Sequence, residues 1–441
     1  MDRPRIVIVG SGFGGFHAAR RLRSRLGRRA EVVIVSTTNY FLYMPLLPQA
    51  AGGVLDPRRV AVSLTSRLPG VQFVPGEVDI VDFDRQRVSL QTPEGRRRQI
   101  GYDRLVLAAG SVSKLLPIPG VAEYAHGFRG MPEALYLRDH LIRQVDEAAA
   151  TDDPAERAAR LTFVVVGAGY TGTEVAAHGQ LLTRTLASQH PRLRVRPGRR
   201  GGIEPRWVLV DVAPTILPEL DPRLARGATR VLQRRGVEIR TETSVERAQR
   251  DSVRLSDGEQ IPTRTLVWCV GVRPDPLVAA LGLPTEHGRL VVDEYLTVPE
   301  HPDIFAIGDA AAVPLPGEPG QIAPMTAQHA VRQGKLAARN VAASLGYGVR
   351  RPYRHRDLGF VVDLGGIQAV ANPFGIPVGG PLAAAVTHGY HLFSIPANRL
   401  RIVNDWLLEA LLPRQTVQLG LVRRSEIPLE TASPELIHPR G

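Results

Sequence analysis

The chain has 441 residues, 44% hydrophobic and 22% charged, with 43 glycines. At about 150 residues per domain that is enough for two or three folded cores, and it excludes a peptide, a disordered chain or a fibre. A single cysteine, Cys269, excludes an internal disulfide, a CxxC redox pair and a thiolate zinc cage, so no metal is expected and redox chemistry must come from a bound cofactor. The formal charge of +12 rests on 53 arginines against two lysines, Lys114 and Lys335, yet neither cluster, Arg20 to Arg29 or Arg184 to Arg206, is interleaved with stacking aromatics, so nucleic acid is not expected as a partner.

The first element, Arg5-Ile6-Val7-Ile8-Val9, reads as a buried strand that runs straight into a glycine turn, with no signal-peptide pattern before it. No run approaches the roughly 18 uncharged apolar residues of a spanning helix, and a cytoplasmic compartment is expected. Gly10, Gly12 and Gly15 form GxGxxG, with Phe13 and Gly14 between them, and Ala18 to Leu26 reads as the following helix. This order suits a pyrophosphate: the first glycine permits the turn, the second lets backbone approach phosphate, and the third lets helix and strand pack closely. The next strand, Glu31 to Val35, ends on Ser36 where a carboxylate is expected to grip an adenosine ribose, so the charge-assisted bond is missing there.

A second apolar strand, Leu161 to Val166, leads into Gly167-Ala168-Gly169-Tyr170-Thr171-Gly172-Thr173-Glu174 and a helical stretch from Val175 to Leu186. Here the acidic residue is present, at the end of Trp207-Val208-Leu209-Val210-Asp211; a carboxylate there accepts ribose hydroxyls and repels a 2′-phosphate, favouring NADH over NADPH. The arginine-rich loop from His190 to Arg206 leaves room for a phosphate contact. Two fingerprints in tandem suggest FAD in the first unit and a nicotinamide cofactor in the second. Strand-then-glycine crossings at Ala109-Gly110 and Gly271 would close the two units, and Cys269, just before the latter, is expected as a buried inert thiol inside an apolar strand. Asp309, after Gly308 at another strand end, can hold a ribityl hydroxyl, while the helix beginning near Thr326 can point its positive end at the flavin pyrimidine. From Arg350 a different module begins, with a hairpin from Phe360 to Ala371, a Gly/Pro-rich stretch from Pro373 to Pro381 and a helix from Asn398 to Leu412. Arg401, Asp405 and Glu409 share one face of that helix, and Val403, Leu407 and Leu411 another, with Trp406 beside them.

The order of these motifs resembles the two-dinucleotide-domain flavoproteins, and within them the type II NADH dehydrogenases, the single-subunit NADH:quinone oxidoreductases. Beyond the fingerprints and Gly308-Asp309, the likeness includes Asn39 to Gln49, similar to the segment that family places beside the flavin, and Ala323-Pro324-Met325-Thr326-Ala327-Gln328-His329-Ala330-Val331-Arg332-Gln333-Gly334, similar to its Ala-Gln quinone-site motif. Ser36, Tyr40, Met44 and Pro48 depart from the family's commoner residues. The resemblance implies an α/β protein with tandem Rossmann-like domains in the flavoprotein disulfide-reductase arrangement and a C-terminal α+β module. The expected units are 1–115 (FAD domain, first part), 116–287 (NADH domain with connector), 288–348 (FAD domain, second part) and 349–441. It implies a non-pumping respiratory-chain reaction from NADH through FAD to a quinone. Ala327 and Gln328 would line the flavin and quinone, and Glu174 would face the flavin from the nicotinamide side, either relaying a proton or ordering its helix N-terminus. His329 is a second proton candidate or a satisfied helix-face histidine. The C-terminal module would lie peripherally on the cytoplasmic face of the membrane, or pack on its own core or in a homodimer. The alternatives are a reductase whose acceptor is a ferredoxin- or rubredoxin-type protein, which the basic surface allows, and a nicotinamide-sensing binding flavoprotein.

Overall fold

A computed structural model describes residues 3–193, 204–318 and 320–429. Most of the arginine-rich loop expected between His190 and Arg206 lies outside the described residues. The chain opens with β1 (Arg5–Val9), α1 (Phe13–Leu26) and β2 (Glu31–Ser36), followed by β3 (Gln72–Pro75) and β4 (Arg104–Leu107). Then come α2 (Met131–Ala150), β5 (Thr162–Val166), α3 (Tyr170–Gln189), β6 (Arg206–Val210), β7 (Val237–Arg240) and β8 (Thr265–Trp268). They are succeeded by β9 (His301–Ala306), α4 (Ala327–Ser344), β10 (Val361–Asp363), β11 (Ala369–Ala371), β12 (Val378–Gly379), α5 (Gly380–Ser394) and α6 (Arg399–Leu411).

Two open parallel sheets carry the architecture. The first has the order β9-β4-β1-β2-β3, with Thr297–Val298 antiparallel outside β9. The second has β8-β5-β6-β7, with His126–Gly127 beside β8. Strands covered by helices on both faces need apolar side chains on both, and all of Thr162–Val166 is buried. Because β9 pairs with β4, the chain leaves the first sheet, builds the second, and returns. The two strand-then-glycine crossings meet each other: Ser111–Ser113 pairs antiparallel with Val272–Pro274 and ties the sheets together.

The helices after the two glycine turns start earlier than their apolar patterns suggest, at Phe13 and Tyr170, so Gly12 and Gly169 are their caps and Gly15 and Gly172 lie inside them. Close packing overrides glycine's poor helix propensity here. A Cβ on Gly15 would run into the Gly10 carbonyl, and one on Gly172 into that of Gly167. Cys269 corrects the sequence reading: β8 ends at Trp268, so the thiol sits one residue beyond the strand and only partly buried. Desolvation still pushes its pKa up to about 12, which leaves it protonated and unreactive. Helix α5 was not foreseen. Its Gly-Gly-Pro start reads as loop, although a proline in a first helical turn loses no hydrogen bond.

Helix α1 lies directly on α4, and a Cβ on Gly334 would meet the Gly14 carbonyl and the Ala18 amide nitrogen. Gly334→Ala is therefore expected to destabilise the protein by about 2 kcal/mol through overpacking, read as a Tm lowered by several degrees in a thermal melt.

Candidate functional site

Each sheet presents a glycine loop at the carboxyl end of its first strand. Gly10 and Gly167 hold φ of +98° and +99°, a left-handed region open to glycine, and their carbonyls seat Gly15 and Gly172. On the outer side the space is free: nothing lies within 4 Å of where a Cβ on Gly12 or Gly169 would stand. A closed inner side and an open outer side at a helix N-terminus form a cradle into which a pyrophosphate fits twice in this chain.

Around the first cradle, Ser36 is buried and shares a 2.8 Å hydrogen bond with the Ser11 hydroxyl, so the hydroxyl that replaces a carboxylate is already engaged. Ala109 and Gly110 follow β4, and Gly110 has φ of +79°. Asp309 sits in the turn after β9, its carboxylate accepting from Ser111, whose hydroxyl also receives the Arg129 guanidinium at 3.2 Å. The Gly308 amide donates to Gln333 Oε1 at 2.7 Å, fixing that turn against α4. Around the second cradle, Asp211 directly follows β6, with one carboxylate oxygen on the Ala168 amide and the other on the Ala213 amide at 2.7 Å. Gly271, at φ of +101°, lies open beside it with no neighbour within 4 Å of a Cβ.

A cleft of about 690 Å³ opens between α4 and the C-terminal module, and Thr326, Gln328, His329, His355 and Phe360 line it. Thr326 caps α4 by accepting from the His329 amide; Ala327 is the first residue of that helix. Gln328 is held at both ends of its amide: Nε2 donates to the Gly359 carbonyl at 2.7 Å, and Oε1 accepts from Arg332 at 3.2 Å. His329 is buried, bonded through Nδ1 to the Tyr353 hydroxyl at 2.7 Å and stacked on His355 at 3.8 Å. Burial lowers its pKa to about 4, so it is neutral near pH 7 and the satisfied-histidine reading describes it. Opposite, Tyr170 from the second glycine loop stacks on Phe360 at 5.6 Å.

Glu174 lies in the early part of α3, behind that loop, and is buried. Its Oε1 accepts the Asp363 backbone amide at 2.9 Å, from the C-terminal module rather than from its own helix. It therefore does not cap α3. Desolvation raises its pKa well above the ordinary carboxylate range, the nearby Asp363 charge adds to this, and the amide bond only partly offsets it. Burial thus favours the neutral acid form of Glu174. Sequence reasoning missed its surroundings. Asp363, His178 and Gln49 converge there from three distant segments, with Gln49 Nε2 donating to Asp363 at 2.5 Å and His178 Nε2 lying 3.3 Å from the same oxygen. The one available signal was the i, i+4 spacing of Glu174 and His178.

Residues 4–334 match the pyridine nucleotide-disulphide oxidoreductase family. Over 419 residues, 91% of this chain and 85% of the relative, the chain is 32% identical to the type II NADH:quinone oxidoreductase NdhA of Mycobacterium tuberculosis. It is 31% identical to the demethylphylloquinone reductase NdbB of a Synechocystis species, over 93% of this chain and 97% of the relative. In fold it is similar to NDH2 from Plasmodium falciparum, solved with NADH, at a TM-score of 0.84 and 17% identity, covering 94% of this chain and all of that one. It is similar at a TM-score of 0.66 and 20% identity to a ferredoxin reductase from Rhodopseudomonas palustris, covering 93% and 100% of the two chains.

The Asp211 carboxylate generates one expectation here. Asp211→Asn should raise the ratio of NADPH to NADH kcat/KM about tenfold, or about 1.4 kcal/mol, measured in parallel steady-state assays with the two cofactors.

Proposed function

The chain belongs to the type II NADH:quinone oxidoreductase family, and from that premise we propose which of its residues carry each half of the reaction. The protein is an oxidoreductase that takes hydride from NADH onto FAD and passes the electrons to a quinone. FAD, when bound, supplies the hydride acceptor and electron relay. Gly10, Gly12 and Gly15, with Phe13 and Gly14 in the first turn of α1, hold its pyrophosphate, and Asp309 accepts a ribityl hydroxyl. Ser36, Ala109, Gly110, Gly308 and Ala327 complete that pocket. Gly167, Gly169, Gly172 and Gly271 hold NADH, with Asp211 on the adenosine ribose. Gln328 stands where the quinone head group approaches, its amide oriented by Gly359 and Arg332. Glu174 donates the proton, and His329, neutral at pH 7, shapes the cleft instead of sharing that role. The observation that carries this reading is the buried Glu174 directly behind the second glycine loop, its acid form favoured by burial, in a chain with no thiol pair.

The acceptor is lipid-soluble, and the C-terminal module is built to meet it. Asp405 on the polar side of α6 is turned inward and paired with Arg59 at 3.0 Å. The apolar side faces out: Leu400 is 86% exposed, Leu411 70%, and Phe393 at the end of α5 84%. That is the reverse of a helix packing on its own core. Exposed Arg58, Arg399 and Arg401 flank it, which suits an anionic membrane surface on the cytoplasmic face. Among the described residues no helix is long and apolar enough to cross a membrane, so the attachment is peripheral.

Two experiments test these readings. Steady-state assays with NADH and a short-chain menaquinone or ubiquinone analogue should give parallel double-reciprocal lines, and reduced turnover with ferredoxin or rubredoxin as acceptor. Turnover with the carrier alone would contradict the quinone assignment. The protein should also float with phosphatidylglycerol vesicles, and Leu400→Asp with Leu411→Asp should weaken that binding about tenfold by exposing charge to the interface. A stable dimer that ignores vesicles would assign the face to a second copy.

A further inference from the structure

Arg289 is 4% exposed, at the start of the short strand Arg289–Val291 that precedes β9. That strand runs parallel to Ala311–Ala312, with Leu290 opposite Ala311 and Val291 opposite Ala312, so Arg289 stands beside the turn that carries Asp309. Its Nη1 donates to the Ala323 carbonyl at 2.7 Å, in the run that leads through Pro324 to the Thr326 cap of α4. Ala323 is held on its other side by its amide, which donates to the Val313 carbonyl at 2.8 Å. The guanidinium therefore sits between two elements assigned above to the flavin pocket, the Asp309 turn and the first turn of α4. Its Nε and Nη2 are buried and make no hydrogen bond.

A guanidinium keeps its proton at any physiological pH, and burying one with two nitrogens unsatisfied is costly. An unsatisfied buried group in a native fold calls for an explanation. Desolvation lowers the Arg289 pKa, and the charges of Asp309 and then Glu286 offset part of that. Glu286 lies on the hairpin of Arg289 itself and is exposed, which leaves Asp309 as the acid facing it from inside. From α4 its titratable neighbour is His329, which burial keeps neutral near pH 7. Two other cations come near. Arg129 reaches the Asp309 turn through the Ser111 hydroxyl at 3.2 Å, and Arg332 is engaged with Gln328 and the Arg356 carbonyl. Both are only partly buried, so water screens them; Arg289 is almost wholly out of water, where a charge acts at longer reach.

We propose that Arg289 is an electrostatic positioning residue for the flavin: its buried charge, acting with the N-terminus of α4, favours the reduced cofactor and raises its potential. Hydride brings two electrons and one proton to the oxidised, neutral ring system, so the reduced one carries a single negative charge until a second proton arrives. A fixed positive charge nearby stabilises that anion and leaves the oxidised form unaffected. Asp309 by itself would do the opposite. Its carboxylate suits a ribityl hydroxyl but repels a negative ring, and Arg289 on the far side of the same turn cancels that repulsion. The Ala323 bond gives the guanidinium its second task, fixing the loop from which α4 and Gln328 depart.

The inference rests on FAD lying beside Asp309, and its test separates the two. The midpoint potential of the bound flavin is measured by equilibrium titration against a reference dye in wild type, Arg289→Lys and Arg289→Met. Arg289→Met is expected to shift the flavin at least tenfold toward the oxidised form at a given potential, a midpoint lower by about 30 mV for a two-electron couple. Arg289→Lys keeps the charge without the planar fork, so its ratio should stay within about twofold of wild type even where its Tm falls. A Met variant that holds FAD at the wild-type potential, or a Lys variant that drops as far as Met, overturns the electrostatic role. Should neither variant fold with FAD bound, the wild type decides through the slope of its midpoint against pH. Uptake of one proton per two electrons at pH 7 supports the fixed charge, and uptake of two overturns it. FAD affinity unchanged by Asp309→Ala would instead overturn the flavin site itself.

Discussion

The carboxylate of Asp363 is the constraint on which the arrangement of this molecule turns. A charge this far from water is tolerated only when its oxygens are satisfied and a cation faces it, because desolvating it alone costs several kcal/mol. Its partners come from the segment before residue 52, from α3 and from its own glycine turn, so the charge is satisfied only when the first unit, the second unit and the C-terminal module are docked together. Against the desolvation that would raise it, the His178 ring, the Gly365 amide and the Gln49 amide hold the Asp363 carboxyl well below its usual range, while burial, with the Asp363 charge adding to it, pushes Glu174 up. Two buried carboxyls of one cluster are thereby pushed in opposite directions.

That division suits a reaction in which electrons and protons arrive by different routes. The dinucleotide cradles are made of backbone and glycine, which position phosphates without titrating. The buried carboxyls Glu174 and Asp363 lie instead at the seam, where side chains from distant segments meet. Exposed leucines on α6 and a buried Asp405 on its inner side are two consequences of one inverted helix.

Most of the backbone design was legible in the sequence. The strands at Arg5–Val9 and Thr162–Val166, the glycine loops, Asp211 and Asp309 follow from local rules, since a buried parallel strand and a phosphate turn each leave a pattern within ten residues. Helix starts were misjudged because Gly14, Gly15 and Gly172 are poor helix formers retained for close approach of backbone, an effect that propensity does not register. The antiparallel strands Glu77–Asp82, Arg87–Gln91 and Arg97–Gly101 do not stand out in the sequence, because each buries only one or two residues and alternates over too short a run. The seam was illegible for another reason. Gln49, His178, Asp363 and Trp406 are separated by up to 357 residues, and each looks ordinary in its own neighbourhood. The polarity of α6 was read correctly, but the direction it faces depends on Arg59, more than 340 residues away.

The central claim is that hydride from NADH leaves this protein on a quinone. The most direct measurement is a double-mixing stopped-flow experiment on the FAD-loaded protein, following flavin absorbance as NADH and then a short-chain quinone are added. The account predicts bleaching and recovery that are each at least as fast as steady-state turnover. Rapid bleaching followed by recovery too slow to sustain turnover would contradict it.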